Sequence, residues 1–336
     1  MPYSLFYLAK PIYGGWVSFT AHLSLKHNLP VHKIGNRTEE NFRPFGYGVD
    51  YRNTALEDIK HVTDPIIVAI DKNHYKYLPE FPNGTWVVIH DPSEVTKKEA
   101  PLLLEHLRRF RIITIRESVK RYLKDTYNLP SMFLIHPFFP YEFHRNDAPA
   151  HAVSVARIDF DKHTDIILKA NQLLPKSKQV TLHGFANNQY VHFKLQGLPF
   201  RESYKGLFPK TFEALNDILK DAKYCVDMSV IKHDGGGTQY TFLEAIHQGV
   251  ALVINKRWVE GYDTPFQPNR NCFIVGSPEE LADLLRRDPP TATITRHAEK
   301  ILEPHIRVNW LDRLRRAEGT RKVLRPGLGK TRKIHK

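Results

Sequence analysis

The sequence predicts two α/β domains in tandem, facing each other across a cleft. Three observations predict this fold class. Short apolar runs alternate with helical patterns through the first 145 residues, and the alternation restarts after the polar, proline-containing stretch 138–150. In the second half, the glycines Gly235 to Gly237 separate an apolar strand pattern from a helix. Strand–helix alternation builds parallel sheets, because parallel neighbours need a crossover between them. Open sheets of this kind take ligands at the carboxyl ends of their strands.

Taken in order, YSLFYLA (3–9) is an apolar run with aromatic residues and reads as the first strand. It lacks the basic start and small-residue cleavage site of a signal peptide. GGWVSFTAHLSLKHN (14–28) is a helix that is apolar on much of its circumference, so it belongs to the core. PIIVAI (65–70), TWVVIHD (85–91), RIITIRES (111–118) and SMFLIHPF (131–138) are further strands, and EAPLLLEHLRRF (99–110) and VKRYLKDTYN (119–128) are helices between them. The second half reads HAVSVARID, helix DKHTDIILKANQLL, QVTLHGFA, helix PKTFEALNDILKDA, KYCVDMSV, the glycine run, helix YTFLEAIHQG, VALVINK, CFIVG and helix SPEELADLLRRD. A helical pattern over 293–318 precedes a basic tail. The expected divisions are 1–145, 146–290, a helical segment 291–318 and the tail 319–336.

Composition narrows the class. Hydrophobic residues make up 41% and charged residues 25% of 336, which is globular rather than disordered. No apolar run is long enough to span a bilayer. Two cysteines, Cys225 and Cys272, give neither a disulfide framework nor metal-ligand spacing, so a reduced, cytoplasmic protein without structural zinc is expected. None of the 18 histidines falls in a metal-binding spacing. His22, His27 and His32 are expected at the surface or at helix ends, and His136 in a structural role. Net charge is +13, and residues 313–336 carry ten Lys/Arg against one Glu, leaving +4 for the rest. A mobile basic tail suits a polyanion such as nucleic acid or an acidic membrane; it also suits a solubilising extension with no partner.

The chemistry gathers at two strand ends. After KYCVDMSV, the glycine run leads into a helix whose exposed N–H groups favour a diphosphate, and Glu244 on that helix can accept two ribose hydroxyls. A flexible loop and a carboxylate complementing the helix dipole fit the same residues. After HAVSVA, Arg157 ends a strand and Lys162 follows before a helix, where two cations can clamp a diphosphate leaving group. Together these are the parts of a nucleotide-sugar site.

Arg157, Lys162 and Glu244 in this arrangement resemble the donor domain of GT-B glycosyltransferases, which have two Rossmann-like domains facing across a cleft. PIYGGWVSF, VVIHDPSEV, VARIDFDKHTDIILKANQLL and QYTFLEAIHQGVALVINK, about a quarter of the chain, resemble more particularly the phage DNA α-glucosyltransferases that modify 5-hydroxymethylcytosine. The resemblance implies that Gly14 and Gly15 close on the donor, that His90 and Asp91 stand at the sugar and acceptor, and that Asp91 takes the acceptor proton or stabilises oxocarbenium charge. It implies Arg157 and Lys162 at the diphosphate, Gly236, Gly237 and Thr238 in the donor loop, and Glu244 at the ribose. It implies a UDP-sugar, UDP-glucose first, retention of configuration and no obligatory metal. His90-Asp91-Pro92 also reads as a plain strand-ending turn. One departure stands out: retaining members carry a glutamate eight residues before the one matching Glu244, and here that position is Gly236.

The expected acceptor is duplex DNA carrying a hydroxymethylated pyrimidine, with the target base flipped into the cleft of a monomeric enzyme away from any membrane. In 107–125, Arg108, Arg109, Arg111, Arg116, Lys120 and Arg121 can track phosphates or form a solvated face, with Arg321, Lys322 and Arg325 of the tail. Phe45, Tyr47 and Tyr51 can wedge into a duplex or pack on one another. Two other functions compete: a GT-B enzyme of surface glycan or lipid synthesis, and a non-catalytic nucleic-acid-binding protein on a degenerate transferase fold.

Overall fold

The computed structural model describes residues 3–9, 14–35 and 43–323. The first half forms an eight-stranded sheet: β1 (Ser4–Leu8), β2 (Val31–Ile34), β3 (Arg43–Gly46), β4 (Val49–Thr54), β5 (Pro65–Ile70), β6 (Trp86–Ile89), β7 (Arg111–Thr114) and β8 (Ser131–Phe133). Its helices are α1 (Gly15–His27), α2 (Ser93–Thr96), α3 (Ala100–Leu107) and α4 (Glu117–Tyr127). Strand order is β3-β4-β2-β1-β5-β6-β7-β8, parallel except for the edge strand β3. Every residue of β1, β5 and β6 is buried, as expected of parallel strands covered on both faces.

The second sheet is parallel throughout, in the order β11-β10-β9-β12-β13-β14. Its strands are β9 (His151–Val155), β10 (Val180–His183), β11 (Tyr204–Gly206), β12 (Ala222–Asp227), β13 (Ala251–Asn255) and β14 (Phe273–Val275). Around it lie α5 (Thr164–Gln172), α6 (Asn188–Lys194), α7 (Phe200–Ser203), α8 (Phe212–Leu219), α9 (Tyr240–His247), α10 (Lys256–Val259) and α11 (Pro278–Arg287). The chain ends in α12 (Ala292–Arg307) and α13 (Trp310–Val323). Strand order reverses between β1 and β5 in one sheet and between β9 and β12 in the other. Doubly wound sheets open a ligand crevice at such reversals.

The last helices return to the first sheet. The Trp310 indole donates to the Ile135 carbonyl at 2.9 Å. The Glu318 carboxylate accepts from Tyr3 (3.2 Å), Trp86 (2.9 Å) and Arg111 (2.8 Å). The stretch 138–150 has no regular structure, yet it is packed: Phe138 and Tyr141 are buried, and Phe138 N–H donates to His305. Helix α13 also takes in residues 319–323 of the expected tail. Arg321 and Lys322 fall on its last turn, and Arg325 lies outside the described residues.

Two expectations are corrected here. RPFGYGVDYRN is a hairpin, β3–β4, turned at Tyr47 and Gly48, both with positive φ as a tight hairpin turn requires. Phe45 packs edge-on against Tyr7, and Tyr47 against Phe212, so these two rings fill core, while Tyr51 is half-buried. His22 is fully buried, stacked between Phe138 (4.5 Å) and Tyr240 (4.8 Å), because α1 has no exposed face over that turn.

Candidate active site

The carboxyl edges of the two sheets meet where α1 begins. Gly14 stands at that N-terminus with φ +82°, and a Cβ placed on it would lie 3.4 Å from Arg157 Cδ. Gly14 and Gly15 are exposed, and among the described residues the atoms that a Cβ on Gly14 would meet belong to Arg157 of the second half. Arg157 follows β9 and is exposed. It pairs with Asp159 and Asp161, each at 3.3 Å, within its own loop. Lys162 lies deeper: its Nζ donates to Ser229 Oγ (2.8 Å) and to Oε1 of Gln239 (2.9 Å), the residue that precedes α9. Thr241 on the first turn of α9 donates to the Val155 carbonyl at the end of β9 (3.0 Å), fixing the helix to the sheet edge. Two cations and a helix N-terminus therefore share the β9/β12 reversal point, an arrangement that attracts a diphosphate.

The glycine run does something other than cradle an anion. Gly235 and Gly236 are buried. Gly236 N–H donates to Trp258 O, its carbonyl accepts from Thr264 Oγ1 at 2.7 Å, and the Gly237 carbonyl accepts from the Trp258 indole at 2.8 Å. Gly236 has φ +74°, and a Cβ there would come within 2.6 Å of Tyr262 and 2.8 Å of the Asp263 carbonyl. The departure at 236 thus has a steric reason: this backbone has no room for a glutamate. At Gly237 a Cβ would meet Arg116 at 2.7 Å. Thr238 is also buried, its hydroxyl 3.3 Å from both His136 and His305. The expected donor loop of Gly236, Gly237 and Thr238 is a packed wall.

Glu244 lies apart from Arg157 and Lys162. It is 4% exposed and lies one turn into α9, facing α1; the small pocket that Arg157 and Lys162 line does not include it. Its nearest basic group is His22, 3.7 Å away, and its charge reaches the buried rings of Tyr47, Tyr141 and Tyr240. Burial holds His22 below its ordinary pKa despite that neighbour. The carboxylate in the Arg157–Lys162 pocket is Asp227, at the end of β12. It is 2% exposed; Oδ1 accepts the Ser229 N–H at 2.8 Å and Oδ2 has no hydrogen-bond partner among the described residues. A charged residue closing the apolar run KYCVD was the only sequence signal for it.

On the opposite wall, adjacent residues have different fates. His90 is buried, with Nε2–H donating to the Val68 carbonyl at 2.7 Å, and burial lowers its pKa to about 4. It is a neutral structural group without access to the cleft. Asp91 is half-exposed, and its Oδ1 caps the following turn through Ser93 N–H at 2.8 Å. Behind this turn, Arg116 forms an ion pair with Asp234 at 2.6 Å and donates to the His90 carbonyl at 2.5 Å. Ser118 completes the set, donating to Asp234 at 2.6 Å. Arg116 is therefore the bolt between the first sheet and the glycine run, and it is removed from any phosphate-tracking face.

The other expected DNA contacts separate in the same way. Arg109 donates to the carbonyls of Phe81 (2.8 Å) and Leu78, and Arg111 is paired with Glu318. Arg108 and Arg121 are exposed, and Lys120 is paired with Glu117 at 3.3 Å. Among the described residues, no group of three His, Cys, Asp or Glu gathers to hold a metal, and no helix is long and apolar enough to cross a membrane.

No protein-family model and no curated protein sequence matches the chain. Solved structures do. Anabaena HepE in complex with UDP and glucose matches with a TM-score of 0.66 at 14% identity, covering 96% of this chain and 100% of that one. An α-glucosyltransferase in complex with UDP and a 13-mer DNA containing a HMU base matches with a TM-score of 0.68 at 14% identity, covering 95% and 98%. Sucrose-phosphate synthase from Thermosynechococcus elongatus matches with 0.63 at 12%, covering 96% and 99%. Two mostly parallel sheets facing across a cleft, matched end to end by these structures, give the chain the GT-B fold.

Proposed function

We propose that the protein is a UDP-sugar-dependent glycosyltransferase that acts on the hydroxymethyl group of a modified pyrimidine in duplex DNA. The observation that carries the transferase reading is the meeting of Arg157, Lys162 and the N-terminus of α9 at the β9/β12 reversal, opposite Gly14. In this reading the diphosphate lies against both cations, which stabilise the charge that grows as the bond from sugar to phosphate breaks. The N-terminus of α1 covers the donor. Asp91 accepts the proton of the acceptor hydroxyl through Oδ2, which carries no hydrogen bond among the described residues. The sugar is glucose in the first instance, transferred with retention.

The DNA acceptor rests on two supports: the basic balance of the chain, and the likeness to an α-glucosyltransferase solved with UDP and DNA. A hydroxymethyl group in the major groove cannot reach the bottom of an interdomain cleft unless its base leaves the stack. The test is UDP release from UDP-glucose with plain, 5-hydroxymethylcytosine and 5-hydroxymethyluracil duplexes in parallel. Release confined to a hydroxymethylated duplex supports the proposal and identifies the base. Release at one slow rate with all three gives a working donor site with another acceptor, and glycan acceptors come next.

A further inference from the structure

Glu94 is a buried ionisable group that this chemistry leaves unused. It is 2% exposed, on α2, three residues after Asp91. Its Oε1 accepts two hydrogen bonds, from the Trp16 indole at 3.2 Å and from the His90 backbone N–H at 3.1 Å. Its Oε2 has no hydrogen-bond partner among the described residues. The two donors belong to different parts of the cleft. Trp16 directly follows Gly14 and Gly15 at the end of α1 that faces Arg157; His90 directly precedes Asp91. The Trp16 and His90 rings are also neighbours, with centroids 6.0 Å apart, and Phe19 from the next turn of α1 meets His90 edge-on at 4.8 Å.

The connection does not stop at His90. The His90 carbonyl accepts from Arg116, which pairs with Asp234 beside the glycine run. A continuous chain of hydrogen bonds therefore runs from the donor-facing end of α1, through Glu94 and the Asp91 turn, to the second half of the molecule. Burial, and then the neighbouring Asp91 charge, push the Glu94 carboxyl well above the usual carboxylate range. Oε1, which takes both N–H groups, is the atom that ties the two segments together.

We propose that Glu94 is a positioning residue, whose Oε1 locks the start of α1 and the His90–Asp91 turn into one register, so that seating the donor and aligning Asp91 on the acceptor hydroxyl become a single event. The inference rests on the transferase reading with Asp91 as the base. It adds to that reading a residue which touches neither donor nor acceptor.

The experiment uses three full-length variants, Glu94→Ala, Glu94→Gln and Trp16→Phe. Glutamine keeps an acceptor at Oε1 and is the isostere of a neutral glutamic acid. Transfer kinetics are measured with UDP-glucose and hydroxymethylated duplex, and the Trp16 indole N–H resonance is followed by NMR, identified by its loss in Trp16→Phe. A misaligned catalytic group costs on the order of 10²-fold, so Glu94→Ala is expected to lower kcat by about that factor and to shift the indole resonance. Glu94→Gln is expected to restore kcat to within a few-fold and to leave the resonance in place. Trp16→Phe, which keeps the His90 contact, is expected to raise KM for the donor more than it lowers kcat.

A Glu94→Gln variant as inactive as Glu94→Ala would overturn the proposal, because the carboxyl would then be exchanging a proton rather than holding a register. Wild-type kcat in Glu94→Ala would overturn it as well. If no duplex is a substrate even for the unaltered chain, the acceptor reading fails on its own. The indole resonance and UDP affinity then decide Glu94 separately, and an unmoved resonance in Glu94→Ala would refute its contact with Trp16.

Discussion

Arg116 and Arg157 both stand just past the carboxyl end of a strand at the cleft, one in each half of the chain, and share little else. The Arg116 side chain is 6% exposed and clamped by Asp234, Ser118 and the His90 carbonyl as one network. The Arg157 side chain is 44% exposed, and its ion-pair partners among the described residues are two aspartates of its own loop, at 3.3 Å. A solvated pair of that kind contributes little and exchanges partners readily. A buried one is costly to break, because the surviving charge has no water to turn to. On the proposed reading, the acceptor wall around Asp91 is set in advance, while Arg157 on the donor wall can leave its two carboxylates for a diphosphate. A transferase gains from this division: the base must be aligned before the sugar moves, whereas the leaving group must be taken up and let go.

The sharpest way to break the comparison is at Asp91. Asp91→Asn preserves the cap to Ser93 N–H and removes the proposed base. General-base catalysis is worth about 10²- to 10⁴-fold, so kcat should fall by that range with the melting temperature nearly unchanged. His90→Asn, one residue away, should act in the opposite sense and lower the melting temperature first, since His90 is buried and bonded to Val68. A His90 variant that melts normally but has lost transfer would return His90 to the chemistry.

Next in size is the contrast between the two arginines. Arg116→Ala strands Asp234, which is fully buried, and should destabilise the fold by about 3–5 kcal/mol, read by urea or thermal unfolding. Arg157→Ala should leave the unfolding midpoint in place and weaken UDP binding at least about tenfold, the lower end expected for losing a charge-assisted phosphate contact. Equal unfolding midpoints for the two variants would mean that the clamp around Arg116 has been overrated.

The sequence made the second sheet and the cations at its edge readable, and it hid the network. VALVINK and HAVSVARID declare buried parallel strands by composition alone, and a cation just past such a strand can only lie at the sheet edge. The pairing of Arg116 with Asp234 joins residues 118 positions apart, and no local pattern encodes that. RIITIRES reads as a strand and the glycine run of HDGGGT as an anion loop, and neither reading points to the other. The glycine run misled for the same reason. Glycine admits a phosphate and equally admits Tyr262 and Trp258 at close approach, and only the fold distinguishes the two uses. The hairpin of β3 and β4 was hidden behind an aromatic loop, because its turn residue is Tyr47 rather than the asparagine or aspartate that usually precedes glycine in such turns.

Buried and half-buried histidines give the molecule a weakness at low pH. Burial brings His27, His32, His90 and His305 down to about 4, from 6.5 when exposed. Above pH 6.5 these groups are neutral in both the folded and unfolded chain, and the stability is fully present. As pH falls from 6.5 towards 4, the unfolded chain binds protons that the folded chain refuses, so stability is lost across that window. The melting temperature should be flat from pH 8 to 7 and fall steeply below 6. A melting temperature that holds steady down to pH 5 would mean that these rings are hydrated rather than buried.

The smallest effects distinguish the basic residues outside the cleft. Arg108 and Arg121 are exposed, whereas Arg109 and Arg111 are committed to carbonyls and to Glu318. If the duplex lies along this face, Arg108→Ala and Arg121→Ala should each reduce the slope of log affinity against log salt by about 0.9, the contribution of one phosphate contact, with little change in melting temperature. Arg109→Ala and Arg111→Ala should do the reverse, because the partners they leave, the Leu78 and Phe81 carbonyls and the Glu318 carboxylate, belong to the fold. A salt slope that responds equally to all four would place the duplex against side chains the fold already uses, and the DNA path would have to be sought elsewhere on the molecule.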